Sequence, residues 1–161
     1  MDPESPIERA AALFQEAFDA QMRGQLDDAI ALYRQSLQAH PTAEAHTFLG
    51  WTYSFQGHLE DAIAECKRAI GVDPTFGNPY NDIGAYLLQM GRHDDAIPWL
   101  EQATEATRYE SPHFPHFNLG RAYLAKEMYT KALRSFERAL EVRPDYTAAR
   151  EVVEAVRRKL N

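Results

Sequence analysis

Cys66 is the only cysteine in 161 residues, so neither an intramolecular disulfide nor a cysteine-rich metal site is open to this chain. Such usage fits a reducing compartment, and a cytoplasmic location is expected. Long apolar runs are also missing: no stretch approaches the ~20 consecutive apolar residues of a membrane-spanning helix. The opening MDPESPIERA has no basic n-region and no apolar core, so no secretory signal is expected there. Basic residues are in deficit, 17 against 24 acidic ones, for a net charge of −7. That balance argues against a general binder of nucleic acid or acidic membrane. The one local reversal, Arg150, Arg157, Arg158 and Lys159, reads as charge solvating an exposed last helix.

What is present is repetition. QMRGQLDDAI, SFQGHLEDAI and LQMGRHDDAI occupy residues 21–30, 54–63 and 88–97, and a worn copy, LAKEMYTKAL, occupies 124–133. The spacing from Ala29 to Ala62 is 33 residues, from Ala62 to Ala96 34, and from Ala96 to Ala132 36. Gly24, Gly57 and Gly91 form a second column; Gly50, Gly84 and Gly120 form a third. Periods of this size mark solenoids with one supersecondary unit per repeat. With 45% hydrophobic and 25% charged residues, the chain has the composition of a folded domain.

Within each unit the apolar period is helical, and the breakers fall where two helices need separating. In the second unit Leu49, Gly50 and Tyr53 line one face of a first helix, and Gly57 supplies the left-handed residue that closes it. Glu60 and Asp61 open a second helix that carries Ala62, Ile63, Cys66, Ala69 and Ile70 inward, and Pro74 ends the unit. Ser5-Pro6-Ile7-Glu8 reads as an N-cap, a proline and a capping-box glutamate. Asn78-Pro79 and Ser111-Pro112 repeat the cap-then-proline signal, and Asp145 is placed to cap a final helix. Pro98 is expected to cost its helix one hydrogen bond and bend it without breaking it. The pattern predicts nine helices, at about 7–23, 26–39, 43–56, 59–71, 77–90, 93–107, 113–126, 129–142 and 146–160.

These columns resemble the tetratricopeptide repeat: Leu49-Gly50-Tyr53-Gly57-Ala62-Cys66-Ala69-Pro74, Ile83-Gly84-Leu87-Gly91-Ala96-Leu100-Ala103 and Leu119-Gly120-Tyr123-Ala132-Phe136-Ala139-Pro144. The resemblance implies an all-α fold, a right-handed superhelical solenoid of antiparallel helix pairs. It implies a single domain over 1–161, with repeats at about 10–42, 43–76, 77–112 and 113–146 and a C-terminal capping helix at about 146–160. Three departures stand out. Glu16 replaces the apolar residue of the first unit, Glu127 replaces the turn glycine of the fourth, and the TRYESP connection gains two residues and lacks the closing proline.

Few residues offer chemistry. Acid pairs recur at Asp27/Asp28, Glu60/Asp61 and Asp94/Asp95 because each opens a second helix, where negative charge meets the positive end of the helix dipole. His113 and His116 share a face at i and i+3, but a metal site needs further ligands, and Glu110 is the only local candidate. No Ser-His-Asp or Cys-His constellation is legible, and the glycines serve helix ends and packing, not a phosphate cradle. The reading is a protein without catalytic residues, metal or cofactor; its rival is a small His- or metal-dependent enzyme.

The resemblance places the first helix of each pair on a concave surface, and the stripe beside its packing face is then free to bind. That groove comprises Phe14, Phe18, Thr47, Trp51, Phe55, Asn78, Asn81, Leu88, Gln89, Phe114, Phe117, Asn118 and Arg121. It is aromatic for a surface meeting water, as binding sites are, and Asn78, Asn81, Gln89, Asn118 and Arg121 are placed to bond a partner's backbone or carboxylate. Some members of the family grip C-terminal carboxylates with cations on the first helices; neither register of that pattern finds those cations here. The expected function is a protein-interaction scaffold or adaptor that holds an apolar or amphipathic peptide segment in its groove. A secretion or pilus-assembly chaperone, or a self-assembling scaffold, is the alternative. The partner is expected to be protein, with no nucleic acid and no membrane span.

Overall fold

The computed structural model describes residues 2–161, and among them the chain forms nine α-helices. These are α1 (Pro6–Met22), α2 (Leu26–Ala39), α3 (Ala43–Phe55), α4 (Leu59–Val72), α5 (Asn78–Gln89), α6 (His93–Glu105), α7 (His113–Ala125), α8 (Tyr129–Val142) and α9 (Thr147–Leu160). No boundary departs from the expected one by more than two residues. The only β-type pairing among the described residues is an isolated parallel bridge between Phe76 and Arg108.

Four tight turns separate the helices of each pair, and all four use one geometry. Gly24, Gly57 and Gly91 have φ of 76°, 80° and 76°, and Glu127 takes the same left-handed conformation at 57°. In each, the residue after the left-handed one donates its N–H back across the turn: Gln25 to Ala20, His58 to Tyr53, Arg92 to Leu87 and Met128 to Tyr123. Glu127 therefore closes its turn as the glycines close theirs, but with the cost that a left-handed conformation imposes on a residue with a Cβ.

Two compact units divide the chain, residues 1–74 and 75–161. In the first, α1 packs on α2, α2 on α3 and α3 on α4. Its core gathers Ala17, Ala20, Ala29, Ile30, Tyr33 and Leu49, with Phe14, Phe48 and Tyr53 against it. The Tyr33 hydroxyl donates to Gln21 Oε1 at 2.7 Å, and the Ser36 hydroxyl donates to the Ala10 carbonyl at 2.7 Å. Gly50 explains how α3 and α4 come together: a Cβ there would lie 2.9 Å from the Ala62 carbonyl oxygen. Ser5 accepts from the Glu8 N–H and Glu8 returns the bond, the capping box read in the sequence.

In the second unit α5 packs on α6, α6 on α7, α7 on α8 and α8 on α9, and α5 also touches α7. Ala132, Phe136, Val153 and Val156 form the buried cluster at its end, which α9 covers as expected. Gly120 lets α7 approach the Phe136 ring, which a Cβ would meet at 2.5 Å. Helix α6 runs through Pro98 unbroken.

The cap readings need correction. Gly77, not Asn78, is the N-cap of α5; Pro112, not Ser111, caps α7; Tyr146, not Asp145, caps α9. None of these three makes a side-chain cap bond: α5 starts one residue earlier than Asn78 implied, and α7 and α9 each start one residue later than Ser111 and Asp145 implied. Asp145 instead lies 3.4 Å from Arg143. Thr42 is a cap the sequence reading missed, accepting from the Ala45 N–H at 3.1 Å.

The two-residue insertion has a structure of its own. Arg108 donates its N–H to the Thr75 carbonyl and accepts from the Gly77 N–H, each at 3.0 Å. Its guanidinium sits 4.2 Å from the centre of the Phe76 ring. Tyr109 then lies over Gly77, where a Cβ would fall 2.2 Å from the tyrosine ring. The extra residues thus bind the connection before α7 to the entry of α5.

Candidate functional site

The first unit carries a chain of rings that leads from its core to its surface. Tyr33, fully buried, meets Phe14 at 5.6 Å and Phe48 at 6.3 Å between centroids. Phe48 is the hub: edge-on to Phe14 at 5.3 Å, to Phe18 at 5.8 Å and to Trp51 at 5.8 Å. Trp51 passes the chain to Phe55 at 5.0 Å. Phe14, Phe18, Phe48 and Trp51 are half-buried, while Phe55 is 56% exposed and Met22 54% exposed. Rings in such edge-on pairs contribute ~0.5–1.5 kcal/mol beyond the area they bury.

Helices α5 and α7 of the second unit carry a polar relay. Asn118 donates from Nδ2 to Asn81 Oδ1 at 2.9 Å, and its own Oδ1 accepts from Arg121 Nη1 at 3.0 Å. Both asparagines are buried and Arg121 is exposed. Beside them Tyr146 is boxed by His113 at 5.0 Å, Phe117 at 5.2 Å and Phe114 at 6.0 Å. Burial raises the Tyr146 hydroxyl's pKa, while the positive charges of Arg121 and Arg143 pull it back. Burial lowers His113, with Arg143 acting in the same direction and Asp145 against it.

Asp82, on α5, is the most perturbed acid. Burial pushes its carboxyl up to about 7, and its negative charge in turn adds to the burial that raises Tyr109. His116 is lowered by burial and then by Arg138. No group of three or more His, Cys, Asp or Glu side chains is gathered to hold a metal among the described residues. The acid pairs sit exposed in the first turns of α2, α4 and α6, as their helix-start role requires. No helix of the described residues is long and apolar enough to cross a membrane.

The sequence-derived site residues therefore sort into three groups. Phe55, Gln89, Phe114 and Arg121 are exposed; Phe14, Phe18, Trp51, Asn78 and Phe117 are half-buried. Thr47, Asn81, Leu88 and Asn118 are buried, which corrects their assignment as groove-facing contacts. Thr47 spends its hydroxyl on the Ala43 carbonyl at 2.7 Å, and the two asparagines bond each other. Phe48 and Tyr146 were missed as site residues. Phe48 was recoverable, being i−3 to Trp51 and i−7 to Phe55 on one helix face; Tyr146 lies in a connection without period.

Two family models described as tetratricopeptide repeat match residues 19–79 and 76–145. The type IV pilus assembly protein PilF of Pseudomonas aeruginosa is 28% identical over 123 residues, 74% of this chain and 48% of that protein. The chain spans less than half the length of the curated relatives it matches. A solved structure of the Pseudomonas aeruginosa pilF protein superposes with a TM-score of 0.89 at 22% identity, over 96% of this chain and 70% of that one. YrrB, described as having an unusual peptide-binding site, superposes at 0.73 with 20% identity, over 90% and 74%. Those superpositions carry the fold.

Proposed function

Since the chain belongs to the tetratricopeptide repeat family, we propose that it is a non-enzymatic interaction module that holds an apolar or amphipathic peptide segment on the faces of its first helices. The observation that carries this reading is the ring row of the first unit, which rises from buried Tyr33 to exposed Phe55. A fold needs rings inside; it has no use for a tryptophan–phenylalanine pair that ends in water. Apolar surface of this kind suits an anchor for a partner's side chains. The partner is a protein or peptide, and a second copy of the chain is one such partner.

A pilus-assembly or secretion chaperone that shields one hydrophobic segment is the second reading. It is favoured by the similarity to PilF across 74% of this chain. Both readings use the same surface, so one experiment serves them. A photo-crosslinking side chain is placed at position 55, and a control at exposed position 38 on α2. The expected result is a discrete adduct from 55, absent from 38 and lost in Trp51→Ala. Adducts from both positions alike would remove the ring row as the working surface. Concentration-dependent light scattering separates self-assembly from capture of a foreign segment.

A further inference from the structure

The second unit presents a feature that the apolar reading does not use. On α7, Phe114, Phe117, Arg121 and Leu124 follow one another at spacings of three, four and three, one stripe of a helix. Arg121 stands in the middle of it. Its hydrogen-bond partner is Asn118, and no carboxylate pairs with it among the described residues. Asn118 is itself buried and fixed by Asn81, so the guanidinium is held in place before any partner arrives. On one side of Arg121 lie Phe114, 39% exposed, and the Phe117–Tyr146 pair. On the other, Leu124 opens a largely apolar cleft of about 300 Å³ with Val152, Ala155 and Val156 of α9.

We propose that Arg121 is a specificity-determining residue that reads an acidic side chain flanked on both sides by apolar residues within the bound segment. The inference rests on the interaction-module reading and names the chemistry of its partner. A lone exposed arginine contributes little, because ordering its long side chain offsets the Coulomb gain. Here Asn118 has already done the ordering, so the partner's carboxylate meets a preset donor pair. Apolar surface on both sides of the guanidinium favours an internal acid over a chain end, because a terminal carboxylate would leave one side uncovered. The net charge of −7 works against an acidic segment overall, so a positioned guanidinium is what admits one.

The test is selection of random dodecamers displayed inside a loop, so that no free C-terminal carboxylate is present, against the full chain and against Arg121→Gln. Arg121 is exposed, so the variant is expected to melt with the native protein; Arg121→Lys, which keeps the charge, is the second variant. Expected is enrichment of an Asp or Glu between apolar residues on the native chain and its loss on Arg121→Gln. For a selected peptide, Glu→Gln and Arg121→Gln should each weaken binding about tenfold, and the two together no further. Arg121→Lys should lose less than Arg121→Gln. Enriched apolar peptides without the acid, or an acid preference that survives Arg121→Gln, would overturn the inference and leave the module reading standing. Enrichment only when the same library is displayed with free C-termini would assign Arg121 to a chain end instead, and also overturns it. No enrichment on the native chain would remove both readings together.

Discussion

Two residues carry strain that their neighbours impose, and each makes a measurable prediction. Glu127 holds φ at 57° where the equivalent turns use glycine. A left-handed conformation costs an L-residue ~1–2 kcal/mol, part of which glycine returns as unfolded-state entropy. Glu127→Gly is therefore expected to stabilise the protein by ~0.5–1 kcal/mol in urea denaturation. Asp82 works in the opposite sense to a paired carboxylate. Its folded pKa lies near 7 against an ordinary 3.8, so between those values the folded chain keeps a proton that the unfolded chain has lost. The folded state then binds more protons, and stability falls as pH rises from about 4 to about 7 and levels off above. Asp82→Asn should match the native protein near pH 4 and exceed it by ~1–3 kcal/mol at pH 8, read from denaturation midpoints at both pH values.

Helix pairs are set by small residues that admit a neighbour. Gly120→Ala drives a Cβ into the buried Phe136 ring, and Gly50→Ala drives one against the Ala62 backbone, which has no rotamer to yield. Each should destabilise by ~1–3 kcal/mol, and exposed Gln38→Glu should stay within ~0.5 kcal/mol. Trp51 and Phe117, alike in the sequence, now separate. Phe117 packs on Phe136 and Tyr146, so Phe117→Ala is expected to lower the melting temperature well beyond Trp51→Ala. Trp51→Ala should weaken partner binding by ~1–3 kcal/mol as an interface anchor does. Helices and turns were legible because period and turn glycine state the same thing twice, as at Gly57 and Gly91. Caps were legible in part: the Ser5 box was, but Asn78 is already the first residue of α5, and Ser111 lies one residue outside the Pro112 cap of α7. The site was half legible. A stripe beside a packing column is still close enough to the core to be covered, which is what happens to Thr47, Asn81 and Leu88. Tyr109 and Tyr146 act from connections, where no period announces them.

At the scale of the whole molecule, stability in stacked repeats is a sum of local terms, so damage stays near its source. Gly50→Leu should accelerate amide exchange across α3 and α4 far more than across α7 and α8, while Gly120→Leu should reverse the order. Mass spectrometry of exchanged peptides resolves the two, and equal acceleration throughout would mean one all-or-none unit. The lone cysteine supplies a clock for the same question. Cys66 is fully buried on α4, and Gly50 of α3 packs over its sulfur. A thiol reagent reaches it only when those helices part, because the reacting thiolate needs access as well as charge. Its labelling rate thus counts openings of the second repeat one by one, without introducing any probe, and a bound segment that clamps α3 should make that clock run slow.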